Sequence, residues 1–183
     1  MASHTDQYEH VDIGTQAEIN NMFALRGRII TSYSQIEFLV GDLFRLLQRS
    51  YNKADEDEVP LPYRIEGRIR SLTRLCSNIS DMDPYRTKLK NGLDEILEFS
   101  ELRNYMAHGY VDVDKYLDGY KFRFLMYKFL PKGEVELHKM DVQLDKLQRT
   151  SDVINECTER LMELVREIYI TLGLQDNRDV GKS

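Results

Sequence analysis

Apolar residues recur along most of the chain with the period of an α-helix. In the first part, the apolar positions alternate in spacing between four and three residues: Ile29, Tyr33, Ile36, Val40, Leu43 and Leu47. That spacing places them on one face of a helix. The sequence therefore predicts a long first helix over residues 15–50.

Three further helices are predicted from the same period, over residues 63–79, 84–108 and 143–172. The last has the most regular seam, again at three-four spacing: Leu144, Leu147, Ser151, Ile154, Thr158, Leu161, Val165, Ile168 and Leu172. Residues 51–62 contain an acidic run and two prolines, which predict a loop. The long seams of the first and last helices exceed what one small bundle needs, so we expect a homodimer.

A different pattern interrupts the helices between residues 119 and 141. Apolar and polar residues alternate over residues 120–124 and again over 134–139, with a Pro-Lys-Gly turn at 131–133. Alternation on both sides of a turn predicts a β-hairpin. We expect an all-α fold, an antiparallel bundle of four to five helices with this hairpin inserted. One helical domain over residues 15–174 would lie between a tail at 1–14 and a polar tail at 175–183.

The composition of the chain bears on its cellular location. Of 183 residues, 42% are apolar and 31% are charged, as in a helix-rich globular protein. No apolar run approaches the ~18 residues that a membrane span needs, and residues 1–14 lack the basic and apolar regions of a secretory signal. We expect a cytoplasmic protein with no membrane partner, in which Cys76 and Cys157 are buried free thiols.

Charge is distributed unevenly. The net charge of −6 argues against a general coat for nucleic acid. Residues 60–90 nevertheless hold seven basic and three acidic residues. Within this stretch Arg64 and Arg68, and likewise Arg70 and Arg74, are four residues apart on a predicted helix. The stretch is either a solvated helix face or a track for RNA phosphates.

Candidate chemistry is concentrated at the end of the predicted 84–108 helix, in Arg103, Asn104 and His108. Asn104 and His108 are four residues apart and share a helix face, and the long side chain of Arg103 reaches the same helix end. An imidazole can move a proton to or from an RNA hydroxyl. A guanidinium can hold the phosphate charge in the transition state. Such cleavage uses the 2′-hydroxyl of the RNA itself and requires no metal.

Structural roles for the same residues remain open. Arg103 continues the apolar seam of its helix and could be a buried ion-pair partner of Glu37, while His108 could only cap the helix end. Asp112 and Asp114 follow the motif, but no nearby His or Glu completes a metal site, which favours a solvated turn. The aromatic run from Tyr120 to Phe129 could stack RNA bases or pack the hairpin onto the helices.

The string from Arg103 to Tyr110, followed by Val111-Asp112-Val113-Asp114, resembles the motif of the HEPN superfamily. That motif is an Arg, four to six residues and a His, commonly with a polar residue after the Arg, where Asn104 stands here. The resemblance is specific over residues 99–114; elsewhere it rests on helix order, including the Ser34 to Glu37 segment. It implies a dimeric helical domain with Arg103 and His108 catalytic, Asn104 assisting and Glu37 a polar neighbour.

Within the superfamily, the string is most similar to the HepT toxin branch, in which Tyr110 would match a tyrosine that a partner nucleotidyltransferase modifies with AMP. The predicted hairpin departs from a minimal HepT fold. The resemblance implies a metal-independent endoribonuclease without cofactors, a toxin or a defence or RNA-processing nuclease that cuts single-stranded or loop RNA. An antitoxin or nucleotidyltransferase is an expected partner. The alternative is a non-catalytic dimeric interaction or RNA-binding module of the same family.

Overall fold

A computed structural model describes residues 13–52, 60–116 and 119–174. These residues form five α-helices and one antiparallel sheet of three strands. Helix α1 spans Ile13–Asn52, α2 Ile65–Ser77, α3 Arg86–Leu97, α4 Ser100–His108 and α5 Leu144–Thr171. Strand β1 spans Tyr110–Tyr116, β2 Gly119–Phe129 and β3 Val135–Gln143. The predicted tails and the acidic run of the predicted loop fall outside the described residues, apart from positions 13 and 14.

The helical periods locate α1, α2 and α5 to within a few residues of the predicted bounds. The predicted seam of α1 is buried at every position, and that of α5 is buried from Leu147 to Ile168. Because one chain already covers these seams, they no longer argue for a dimer. Cys76 and Cys157 are buried free thiols within the described residues, as predicted.

The predicted single helix over residues 84–108 is wrong. The α-helical hydrogen bonding is interrupted at Glu98 and Phe99, where the Phe99 amide donates to the Ile96 carbonyl at 3.1 Å, a tighter turn than an α-helix makes. Helix α4 then begins at Ser100. The first part of the expected helix is therefore α3, which begins at Arg86, and the candidate motif lies on a separate short helix.

The sheet contains the predicted hairpin, formed by β2 and β3, and one strand more. Strand β1 pairs with β2, with Val111 opposite Phe124 and Val113 opposite Phe122. The strand order is β1-β2-β3, so each strand pairs with its neighbour in sequence. The hairpin turn contains Lys132 at φ 73° and Gly133 at φ 81°, a left-handed conformation that glycine adopts easily. The structure confirms a mostly helical fold and adds a third strand to the expected hairpin, whereas the antiparallel bundle of four to five helices stays a prediction.

The described residues group into two compact units. The first contains α1 up to Ile30, α4 from Glu101, the sheet, and α5 up to Val153. The second contains the remainder of α1, α2, α3 and the remainder of α5. The first unit buries Met22, Leu25 and Ile29 of α1, Tyr105 and Met106 of α4, and Phe122 and Phe124 of β2. In the second, the Tyr33 hydroxyl donates to the Ile96 carbonyl beneath α3. The candidate motif thus belongs to the unit that contains the sheet.

Candidate active site

The break before α4 determines which of its side chains are buried and which face solvent. In one uninterrupted helix, the seam of α3 would continue through Ser100, Arg103 and Ala107. After the break, Tyr105 and Met106 are the residues of α4 that are buried. Arg103 is half-buried, so it does not occupy the core position that the uninterrupted seam predicted for it. The burial of Tyr105 and Met106 holds α4 in place and leaves Arg103 partly open to solvent.

The three motif side chains lie on the open side of α4. Arg103 Nη1 donates to Asn104 Oδ1 at 3.2 Å, which fixes the orientation of the asparagine amide beside the guanidinium. Asn104 is half-buried, and His108 is exposed at the last position of the helix. Asn104 and His108 are one turn apart on the same face. An arginine, an amide and an imidazole are thus carried by one short helix.

An arginine that sequence reasoning did not single out supports the end of this helix. Arg26 of α1 donates from Nε to the Met106 carbonyl and from Nη2 to the Gly109 carbonyl, the latter at 3.2 Å. Its guanidinium lies 6.0 Å from the centroid of the Phe124 ring of β2. A cation at the carboxyl end of a helix satisfies carbonyls that have no partner within the helix. Arg26 therefore performs the capping that had been an alternative role for His108.

Close approach at Gly109 links the motif helix to β1. The Gly109 amide donates to the Tyr105 carbonyl at 2.8 Å, so the backbone continues the helical hydrogen bonding by one residue. A Cβ at this position would lie 2.5 Å from the same carbonyl oxygen and 3.4 Å from Phe124. Glycine is required here because no side chain fits, and the next residue, Tyr110, begins β1 on the solvent side.

A lysine of the sheet contacts the other end of α4. Lys128 Nζ bonds to Glu101 Oε1 at 3.0 Å and lies 6.0 Å from the centroid of the Tyr105 ring. The hydrogen bond to Glu101 raises the pKa of Lys128 above its ordinary value. Basic residues from α1 and β2 therefore contact both ends of the motif helix. Neither residue has a signal in the sequence, because both contacts arise only from folding.

Glu37 and the four arginines predicted to bind RNA lie in the second unit. Glu37 is half-buried on α1, and its backbone carbonyl accepts a hydrogen bond from Arg68 Nη1 at 3.2 Å. Its predicted pairing with Arg103 stays a prediction. Arg68 also donates to the carbonyls of Pro62 and Tyr63, so its guanidinium holds the chain that enters α2. The remaining basic candidates are exposed on or beside α2: Arg64, Arg70 and Arg74.

The residues described here offer no obvious metal centre or reactive thiol. Asp114 pairs with Arg123 at 3.2 Å, and Asp112 accepts from the Val113 amide at 3.1 Å. Among the described residues, no group of three or more His, Cys, Asp or Glu side chains could hold a metal ion. Burial raises the pKa of Cys157 to about 11, so this thiol stays protonated at neutral pH. Cys157 lines a cleft of about 440 Å³ between α3 and α5.

Comparisons with known proteins leave the family open. The chain matches no family model, no curated protein and no solved structure. No described helix has the length and apolar character of a membrane span. The resemblance to the HEPN superfamily therefore stays a prediction that rests on the residues from Arg103 to Tyr110.

Proposed function

We propose that this protein is a metal-independent endoribonuclease of the HEPN type, which cuts single-stranded or loop RNA as a toxin or as a defence or RNA-processing nuclease. One observation carries the proposal. Helix α4 bears Arg103, Asn104 and His108 on its open side, and the burial of Tyr105 and Met106 together with Arg26 holds it in place. Fixed catalytic groups on a rigid element need little reorganisation in the transition state.

The chemistry follows from the three side chains. A 2′-hydroxyl oxygen of the RNA attacks the adjacent phosphorus, and the bond from phosphorus to the 5′-oxygen breaks. His108 takes the 2′-hydroxyl proton, and a second proton donor, His108 of another copy in the proposed dimer, protonates the leaving 5′-oxygen. Arg103 holds the charge on the phosphoryl oxygens, and Asn104, which accepts a hydrogen bond from Arg103, assists it. The products are a 2′,3′-cyclic phosphate and a 5′-hydroxyl.

The proposal extends to assembly and partners. Helices of an antiparallel bundle that dimerises would bring two motifs to one cleft, as the resemblance implies. Tyr110 is exposed next to the motif, so its hydroxyl is accessible to a nucleotidyltransferase that would add AMP. The buried free thiols fit a reducing cytoplasm. A protein antitoxin is the other partner that the resemblance implies.

Cleavage assays on matched variants test the chemistry. Wild type should cleave single-stranded RNA in EDTA and leave cyclic or 3′-phosphate ends. His108→Ala should lower the rate by about 10²–10⁴-fold, the usual contribution of a general acid or base. Arg103→Lys should also fail, since lysine keeps the charge and loses the two-pronged grip on phosphate.

Two residues of the same unit provide matched controls. His138→Ala on β3 and Arg149→Lys on α5 should leave cleavage unchanged, because neither residue lies on α4. Full activity of His108→Ala would reject its catalytic role. Loss of activity in EDTA with rescue by Mg²⁺ would reject the metal-free mechanism. Sedimentation of the wild type as a stable monomer would reject the shared cleft.

The second candidate is a non-catalytic dimeric interaction or RNA-binding module. The bond from Arg103 to Asn104 favours it, because an arginine that orients its own neighbour can have a purely structural role. Under this alternative no variant cleaves RNA, and Arg103→Ala lowers the melting temperature or dissociates a dimer. Melting temperature, oligomeric state and cleavage measured on the same samples separate the two functions.

A further inference from the structure

The three-stranded sheet has an inner face that packs on α4 and an outer face that does not. Phe122 and Phe124 of β2 are fully buried on the inner face, and Lys128 on that face bonds to Glu101 of α4. Because side chains alternate along a strand, the odd-numbered residues of β2 and their cross-strand partners form the outer face. It contains, in matching order, Lys121, Arg123, Leu125, Tyr127 and Phe129 of β2 and Gln143, Asp141, Lys139, Leu137 and Val135 of β3, with Tyr110, Asp112 and Asp114 of β1 alongside.

One half of the outer face is charged and paired across the strands. Arg123 bonds to Asp141 at 2.9 Å and to Asp114 at 3.2 Å, and Lys121 bonds to Asp141 at 2.6 Å. Over the whole outer face, acidic and basic side chains are equal in number. A face without net charge has no electrostatic attraction for the phosphates of a nucleic acid, so its charges do not favour RNA as the occupant.

The other half of the outer face is apolar and exposed. Phe129 is 82% exposed and Tyr127 65%, and their β3 partners Val135 and Leu137 are 52% and 42% exposed. We term these four residues the hairpin patch. The outer face of an antiparallel sheet is normally polar, and a contiguous exposed apolar patch usually marks a binding site.

The area of the hairpin patch fits a protein partner. Its two rings expose about 200–400 Å², and its two half-exposed aliphatic side chains add roughly 50–100 Å². A typical stable interface covers ~800 Å² per partner, of which about 450–520 Å² is apolar. The patch therefore supplies most of the apolar area of such an interface, and the paired charges beside it supply polar area.

The order of residues along β2 and β3 makes the outer face complementary to itself. The β2 row is basic at one end and aromatic at the other, whereas the β3 row opposite it changes from acidic Asp141 to aliphatic Leu137 and Val135. A two-fold axis between the two strands and parallel to them would place the β2 row of one copy over the β3 row of another. Rings would then cover aliphatic side chains, and Arg123 would face Asp141 of the second copy.

We propose that the outer face of the sheet is an interface between two copies of this chain, which pack face to face around the hairpin patch. Packed sheets lie ~10 Å apart with nearly aligned strands, which is the arrangement that this axis gives. The contact is separate from the shared cleft proposed above, because the outer face lies opposite α4, and it does not rest on RNA cleavage. A chain that forms both contacts would assemble beyond a dimer.

Sedimentation equilibrium of the full chain measures the contact directly. Wild type should self-associate with a dissociation constant of about 1 μM or below. Phe129→Ala and Tyr127→Ala should each raise this constant about 10- to 1,000-fold, because a two-fold contact loses two rings at once. Phe23→Ala is the matched control, since its ring is 52% exposed on α1 and lies outside the sheet; it should change the constant by less than about twofold. Circular dichroism of the variants in dilute solution should match that of wild type.

Chemical cross-linking tests the two-fold arrangement. Phe129→Cys protein mixed with Val135→Cys protein should be joined by a short bismaleimide, which spans the ~10 Å between packed sheets, faster than either variant alone. The axis places position 129 of one copy over position 135 of the other, so only the mixture presents facing thiols. Cys76 and Cys157 are buried and give little background.

The outcomes decide for or against the interface. A wild-type protein that stays monomeric at high micromolar concentration would overturn the proposal, as would a dimer that both ring variants leave intact. Weakening by Phe23→Ala as large as that by Phe129→Ala would place the contact on another surface. A wild-type tetramer that becomes a dimer in Phe129→Ala would support this contact beside a second one. Cross-linking that is no faster in the mixture would reject the two-fold arrangement.

Discussion

The aromatic residues at the two ends of β2 have opposite environments. Phe122 and Phe124 are fully buried, whereas Tyr127 and Phe129 are among the most exposed apolar side chains that the structure describes. The two ends differ in whether their aromatic residues occupy even or odd positions of the strand. Aromatic residues occupy even positions up to 124 and odd positions from 127, and Leu125 and Met126 lie between. The chain therefore builds a core with one half of the strand and exposes rings on the opposite face with the other.

The largest expected effect on stability is at the buried end. Phe124→Ala should lower the free energy of unfolding by about 3–5 kcal/mol, because it removes a fully buried ring and leaves a cavity. The ring also faces the Arg26 guanidinium at 6.0 Å, so the end of α4 loses support as well. Urea titration measures the change. A loss below about 1 kcal/mol would show that the two ends of β2 are energetically alike.

A smaller effect is expected where α1 reaches the motif helix on the buried side of the sheet. Arg26→Met keeps an apolar stem and removes both hydrogen bonds to the carbonyls of Met106 and Gly109, at a cost of about 1.5–3 kcal/mol. Arg28→Met is the matched control on the same helix. Its ion pair with Asp152 at 3.3 Å is about half exposed and should contribute about 0–1 kcal/mol. Equal losses in the two variants would contradict the capping role of Arg26.

The ion pairs of Asp141 with Lys121 and Arg123 predict that the free energy of unfolding depends on pH. Hydrogen bonds from Lys121 and Arg123 lower the pKa of Asp141 below its ordinary value of 3.8. A carboxyl group with a lowered folded pKa contributes stability above its unfolded pKa, and that contribution is lost as the pH falls through the folded pKa. In urea titrations above about pH 4, wild type should have a larger free energy of unfolding than Asp141→Asn. The difference should shrink in more acidic solution. A difference that is constant with pH would assign the effect to something other than ionisation.

The smallest effect on folding is expected at the exposed end of β2. In the monomer, Tyr127→Ala and Phe129→Ala should each change the free energy of unfolding by about 0.2–1 kcal/mol, the range of a cross-strand pair on a solvated face. Thermal melting beside Phe124→Ala, in protein dilute enough to be monomeric, measures the contrast directly. A loss as large as that of Phe124→Ala would contradict the contrast between the two ends of β2.

Much of the helical framework follows from the sequence, because α1 and α5 carry unbroken apolar seams that only a helix can bury on one side. The break at Glu98 and Phe99 has no such signal, since neither residue is a glycine or proline and the apolar period runs through it. Strand β1 was missed because two valines between aspartates alternate too briefly, and its pairing with β2 completes the strand. Arg26 lies 80 residues from the carbonyl it caps, a relation that no local pattern reports.

Neither compact unit is continuous in the chain, which has a consequence for synthesis. The first unit joins the start of α1 to residues beyond Glu101, and the second needs α5 from Ile154. At ~5–20 residues per second, the ribosome needs roughly 4–14 s to make the 31–100 segment that separates the two parts of the first unit. During that interval the part of α1 up to Ile30 lacks the residues that bury Met22, Leu25 and Ile29. The first unit can therefore close only after synthesis has passed Glu101, and the second only after it has passed Ile154.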